Sequence, residues 1–365
     1  MAYDASCSRR PESFRSASSP CAGQQSAPAT VADASHRLAA FHAEAGARRR
    51  SYARPTVLDG LPSVSGVDHE IVETSRLRMH VARAGESGPP LVLLHGWPQH
   101  WYVWRHVIPR FAERYRVICP DLRGLGWTEA PTHGYEDESL ASDVLALLDA
   151  LELPRVFLIG HDWGLQAGFR LCLREPDRIN RFVALNDVHP WSRPSLRDAL
   201  DVWRFWYIGV LAAPVVGGWL LRNHPRFVRL LIRSWSARNV WTDQELNGFA
   251  ERLREPERAR ASVQYYRTLL RELPLVPGRY RDRTLRTPTL LLFGADDGVV
   301  RPHQLHGYEG HADDMRVELI PGVGHFTAEE APELVVDRTM KHFDPEASAA
   351  SVASQSRSFE QRSGS

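Results

Sequence analysis

From about Val67 onward, short apolar runs and amphipathic segments take turns along the chain. Leu77, Met79 and Val81 alternate with polar neighbours, which predicts a half-buried strand. Residues 91–94 form a wholly apolar run, and 103–111 carry apolar positions at helical spacing. Another apolar strand is predicted at 116–119, then a helix with Leu140, Val144, Leu147, Leu148 and Leu151 on one face, then strands at 156–159 and 182–185. The rhythm returns much later with strands at 289–293 and 317–320. Apolar strands separated by amphipathic helices predict an α/β protein whose mostly parallel sheet has helices on both faces. Residues 188–280 contain no strand pattern but hold Trp191, Trp203, Trp206, Trp219, Trp235 and Trp241 among arginines and apolar residues. A helical insertion between two sheet strands, placed as a cap or lid, is expected there. The division is therefore 61–187 and 281–345 as the two parts of the core, with 188–280 as the cap. Residues 1–60 and 346–365, rich in Ser, Ala and Gly and without a sustained hydrophobic period, read as a disordered leader and tail.

Composition narrows the function classes. Of 365 residues, 43% are hydrophobic and 24% charged, the balance of a folded globular body. A formal net charge of +1 has no basic excess for a polyanion, so a nucleic-acid partner is not expected. The most apolar stretch, 205–221, is shorter than the about 20 residues of a membrane span and is interrupted by Gly209, Pro214, Gly217 and Gly218. A buried or substrate-lining helix pair is expected there, with no integral membrane segment. No secretory apolar run stands near the N-terminus, which makes a cytoplasmic location the expectation. Cys7, Cys21, Cys119 and Cys172 contain no CxxC pair, so neither a disulfide framework nor a metal site is expected.

Four short segments carry chemistry. The strongest is the apolar strand that runs through Gly160-His161-Asp162-Trp163-Gly164 into a helix. Glycines two residues either side of a central side chain are the spacing of a strained strand-to-helix turn that thrusts that side chain outward, here Asp162 as nucleophile. A lone Asp before a helix usually caps it, but the flanking glycines favour the nucleophile. The Trp163 amide then points where an oxyanion would develop. In a second segment, His95-Gly96-Trp97-Pro98-Gln99, the Trp97 amide is the candidate second oxyanion donor, while His95, at the end of a buried strand, reads as a structural group. Gly294-Ala295-Asp296-Asp297 ends a late strand and places an orienting acid at Asp297, with Asp296 as the neighbour able to take the role. Gly322-Val323-Gly324-His325-Phe326 presents His325 as the base, giving the chain order nucleophile, acid, histidine.

With HGWPQ at 95–99, DLRGLGWT at 121–128, GHDWG at 160–164 and GVGHF at 322–326, the stretch from about Val67 to Phe343 resembles the α/β-hydrolase family, and within it the epoxide hydrolases. The resemblance implies an α/β-hydrolase fold with an inserted helical cap, no cofactor and no metal, and an enzyme that hydrolyses an ether bond. A small hydrophobic epoxide and water would be the substrates. It also implies two cap tyrosines that protonate the leaving oxygen, assigned to Tyr207 and Tyr266, and substrate contacts from Trp97, Trp163, Trp206 and Tyr265. An aspartate is ionised near neutral pH, attacks saturated carbon without a base, and yields an alkyl ester that His325 and Asp297 can hydrolyse. Haloalkane dehalogenases share the aspartate and the following tryptophan and remain the alternative. A fluoroacetate dehalogenase is disfavoured because Trp163 and Gln166 stand where that subgroup carries arginines. A non-catalytic ligand-binding protein of the same fold is the second alternative, and homo-oligomerisation stays open.

Overall fold

The apolar runs become the strands of one sheet, the inner ones buried on both faces, where the backbone can be satisfied only by lateral pairing. A computed structural model describes residue 58 and residues 60–192, 201–272 and 276–346. The leader and tail expectations, with Cys7 and Cys21, fall almost wholly outside the described residues. The first part of the core comprises β1 (Asp68–Glu73), β2 (Arg78–Ala84), β3 (Pro90–Leu94), α1 (Ile108–Ala112), β4 (Arg116–Pro120), α2 (Asp137–Ala150), β5 (Val156–His161), α3 (Trp163–Arg174) and β6 (Ile179–Leu185). Helices α4 (Trp206–Ala212), α5 (Val216–Asn223), α6 (Pro225–Trp235), α7 (Asp243–Arg252) and α8 (Pro256–Glu272) follow before the sheet resumes. Strands β7 (Thr289–Gly294) and β8 (Met315–Ile320), then α9 (Thr327–Glu330) and α10 (Pro332–Phe343), complete the described chain.

The eight strands lie in the order β1-β2-β4-β3-β5-β6-β7-β8. Only the β1–β2 and β2–β4 pairs are antiparallel. Alternation along each strand feeds two cores. Val92, Leu94, Leu158 and Phe182 pack beneath α2 and α3, against Val144, Leu148, Leu165 and Phe169. Leu91, Leu93, Ile159 and Val183 face the other way, toward Trp101, Trp104, Phe111, Val335 and Phe343. The chemistry-bearing segments follow the carboxyl ends of β3, β5, β6, β7 and β8, where a parallel sheet gathers its loops.

Two expectations change. The helix read over 103–111 is a 3₁₀ turn at Trp101–Trp104 followed by the short α1, because Pro109 cannot extend a preceding helix but fits the first turn of a new one. The stretch 205–221 divides into α4 and α5 around Pro214, and the segments Val202–Ala212 and Val216–Asn223 meet at 88°. Only its inner positions, among them Tyr207, Leu211 and Leu221, are buried, while Trp206, Val215, Val216 and Trp219 face outward. Among the described residues, no single helix is long and apolar enough to cross a membrane.

Candidate active site

Asp162 joins β5 to α3 with φ +51° and ψ −121°, a backbone conformation that costs a non-glycine residue energy and that packing on both sides must hold. The glycines make that packing feasible. A Cβ on Gly160 would lie 2.5 Å from the Gly164 carbonyl oxygen, and one on Gly164 would run into the Leu94 carbonyl at the end of β3. The backbone carbonyl of Asp162 accepts the first α3 amides, Leu165 N at 2.9 Å and Gln166 N at 3.1 Å. Its side chain makes no helix-capping bond to the Gly164 or Leu165 amide. Instead Oδ2 accepts the Trp97 N–H at 2.8 Å, and the Trp163 N–H lies close enough to help hold the carboxylate ionised. Both amides read from the sequence as oxyanion donors thus converge on this carboxyl group.

His325 stands at the loop after β8 and shares a 2.9 Å hydrogen bond between Nδ1 and Asp297 Oδ2. Asp297 is fully buried, and its remaining capacity is filled by the Val299 and Val300 amides on Oδ1 and the Asn186 amide group on Oδ2. Asp296 turns the other way and accepts the Gly322 N–H at 2.7 Å, so it does not meet His325. His95 is also buried; its Nε2 accepts the Leu122 N–H at 2.9 Å and its Nδ1 donates to the Gly96 carbonyl at 3.0 Å, which leaves neither nitrogen for the reaction.

Burial governs the electrostatics. It pushes the Asp162 carboxyl up to about 7, with the neighbouring Asp187 charge adding to the rise, while His325 and the Trp97 and Trp163 amides pull it down. Burial alone would lower the His325 imidazole. Asp297, through charge and hydrogen bond, together with Asp162 and Asp187, outweighs it and raises His325 to about 9. Between these values the resting site holds a carboxylate beside an imidazolium.

Helices α4 and α8 bring aromatic residues over the carboxylate. Tyr207 and Tyr266 are buried, with ring centroids 5.8 Å apart and edge to face. The Tyr266 ring also meets Trp97 at 5.1 Å and Trp163 at 6.2 Å, both edge to face. Burial pushes both hydroxyls well above their ordinary range, and the Asp162 and Asp187 charges add to this, so both stay protonated. The Tyr265 hydroxyl instead donates to the Arg123 carbonyl at 2.9 Å, while its ring edges Trp163 at 4.9 Å. Trp206 corrects an expectation: it is 51% exposed and packs on Phe227 from the outer face of α4, because the next residue, Tyr207, is the one turned inward. Trp97 remains in the site, but its indole N–H donates to Ser262 Oγ on α8 at 2.9 Å.

Two residues at this site were not read from the sequence as part of it. Asn186, buried at φ +47°, donates to Asp297 and to the Gly324 carbonyl, tying β6 to the acid and histidine loops. Asp187 accepts the Gln166 amide at 3.0 Å and is itself raised to about 6, first by burial. Their only sequence signal is two polar residues directly after an apolar strand. Among the described residues, no group of three or more His, Cys, Asp or Glu side chains could hold a metal ion.

Residues 89–215 match the family described as alpha/beta hydrolase fold. The chain is 32% identical over 297 residues to the soluble epoxide hydrolase of Corynebacterium sp. (strain C12), covering 76% of this chain and 98% of that protein. It is 28% identical over 300 residues to mouse epoxide hydrolase 4, covering 79% and 82%. The ligand-free structure of the epoxide hydrolase CorEH aligns with a TM-score of 0.66 at 30% identity, over 76% of this chain and 99% of that one.

Proposed function

Because the chain belongs to the epoxide hydrolase family of α/β-hydrolase-fold proteins, we propose that it opens a hydrophobic epoxide to a vicinal diol through an ester on Asp162. A carboxylate oxygen of Asp162 attacks an epoxide carbon. The carbon–oxygen bond breaks, and the leaving oxygen takes a proton from Tyr207 or Tyr266. His325 then takes a proton from water, the hydroxide adds to the ester carbonyl carbon, and the oxyanion is held by the Trp97 and Trp163 amides. Collapse releases the diol, whose departing oxygen takes the proton from His325. The new carboxyl group returns its proton to the tyrosinate, which restores both residues. Asp297, held by Asn186 and two amides, keeps His325 in the tautomer whose Nε2 can act as the base.

The observation that carries this reading is the pair of buried, protonated tyrosines whose hydroxyls feel the charge of the Asp162 carboxylate. An epoxide oxygen needs an acid to leave; a halide needs only hydrogen-bond donors. For halide displacement the Trp97 indole is already committed to Ser262. The aromatic walls formed by Trp97, Trp163, Trp235, Tyr207 and Tyr266 suit an apolar substrate.

Purified protein incubated separately with an aryl epoxide and a bromoalkane should release diol from the first and negligible bromide from the second. Bromide without diol overturns the proposal in favour of a dehalogenase, and ligand binding without turnover of either makes the protein a receptor. In the His325→Gln variant, a substrate-sized mass adduct should accumulate on the Asp162 peptide; an adduct on another residue overturns the mechanism.

A further inference from the structure

His325 is held at its side chain by Asp297, and the loop that carries it is held by a group outside the proposed triad. Glu330, at the end of α9, is buried, with a relative exposure of 3%. Its Oε2 accepts the Gly324 N–H at 3.0 Å, directly before the histidine, and the Ala237 and Arg238 amides, each at 2.9 Å, from the chain following α6. Its Oε1 accepts the Phe326 N–H at 3.3 Å, directly after the histidine. Every one of these donors is backbone, so what the carboxylate fixes is the course of two chain segments. The two segments also bond directly, since the His325 N–H donates to the Trp235 carbonyl at 2.9 Å. The Arg238 guanidinium adds bonds to the Gly322 and Glu330 carbonyls at 2.7 and 3.1 Å. Gly324 is needed for this closeness, because a Cβ there would collide with the Ala237 amide and lie 2.7 Å from the Trp235 carbonyl.

We propose that Glu330 is a positioning residue that locks the helical insertion to the histidine loop and so holds His325 in line with Asp297 and the Asp162 ester. The proposal rests on the two-step reading above. It predicts an effect on the hydrolytic step, where His325 must deliver a water-derived hydroxide to a fixed carbon, and little effect on the attack by Asp162, which needs no base. A carboxylate can accept on both oxygens, whereas the amide of a glutamine presents one oxygen and one NH₂ group. Glu330→Gln therefore loses the donors on one side without changing the volume, and Glu330→Ala loses all of them.

Single-turnover rapid quench with an aryl epoxide, read as ester on the Asp162 peptide, separates the two steps. Ester hydrolysis is expected to slow by about 10-fold in E330Q and about 100-fold in E330A, the scale that small misplacements of a reacting group bring, with ester formation staying within about 2-fold of wild type. Should E330A fail to fold, E330Q decides the matter. A second readout is the His325 ring titration by NMR, assigned by comparison with His325→Gln. The ring faces Asp297, Asp162, Asp187 and His161, and its midpoint should fall in E330Q as the bond to Asp297 loosens. Parallel loss of both chemical steps with an unmoved titration would reduce Glu330 to a general stabiliser, and wild-type behaviour in both readouts would remove it altogether. If the wild type forms no ester on Asp162, the functional proposal falls, and the titration still decides the role of Glu330.

Discussion

Adjacent residues on one helix meet opposite fates in this protein. Tyr265 and Tyr266 are both buried on α8, yet one hydroxyl is spent on the Arg123 carbonyl and the other feels the charge of Asp162, the proposed nucleophile. Replacing Tyr266 or Tyr207 with Phe is expected to slow ester formation by about 10- to 100-fold each, the range for losing a positioned acid. Tyr265→Phe should leave that rate close to wild type and cost about 1 kcal/mol of stability, the ordinary worth of a hydrogen bond. Stopped-flow single turnover and urea unfolding read the two quantities, and a Tyr265→Phe rate loss as large as that of Tyr266→Phe would reverse the assignment. The resemblance to epoxide hydrolases pointed to two cap tyrosines, assigned to Tyr207 and Tyr266. The phase of the helix, which decides the turned-in residue, depends on Ser262, Tyr265 and Tyr266 sharing the face toward the core. Asp297 against Asp296 is a similar case: both end the same strand, and only the neighbouring Asn186 and His325 select one of them.

At the scale of elements, the strand-to-helix turn depends on the closeness of three backbones, β3, β5 and α3. Gly164 touches the end of β3, where a Cβ would meet the Leu94 carbonyl, a backbone atom with no rotamer to change. Gly164→Ala should destabilise the fold by ~2–3 kcal/mol, as overpacking does, and also lower activity in the fraction that folds, since Asp162 and the Trp97 amide ride on the two elements forced apart. Urea unfolding with an unchanged slope would register the loss as stability; an Ala variant as stable as wild type would show that the approach is looser than described. The connection between core and insertion is likewise polar. Arg105 contacts Glu329 in α9 and reaches Glu245 at the start of α7, where Glu245 also closes a capping box with Thr242. The apolar pattern that marks 188–280 as helical carries no trace of this bridge, because it joins residues more than a hundred positions apart.

At the scale of the whole molecule, the charge distribution sets the pH response. Ester formation needs ionised Asp162, which burial raises to about 7, so kcat/KM should fall as pH drops below that value. Both tyrosines are raised well above 10, so the same profile should show no alkaline loss up to that point. Ester hydrolysis needs neutral His325, raised to about 9 at rest partly by the Asp162 charge. Esterification abolishes that charge, so the hydrolysis rate should climb with pH and level off below 9. Single-turnover rates from pH 5 to 10 test both limbs, and a hydrolysis limb at or above 9 would mean that the Asp162 charge does not reach the imidazole.

The sequence by itself determined the alternation of strands and helices, the turn at Asp162, the histidine loop and the helical character of the insertion. Each of these is encoded locally, in hydrophobic period, glycine spacing or a contiguous motif. It also carried the aspartate proposed as nucleophile, and with it the proposed attack on saturated carbon, because that chemistry resides in a side-chain type. Tertiary structure alone decided that Trp206 faces outward, that Asn186 completes the surroundings of Asp297, and that Glu330 stitches the insertion to His325. Such roles depend on the direction in which a side chain leaves its element and on which distant backbone arrives beside it. Both follow from packing across the whole sheet, and no local pattern records them.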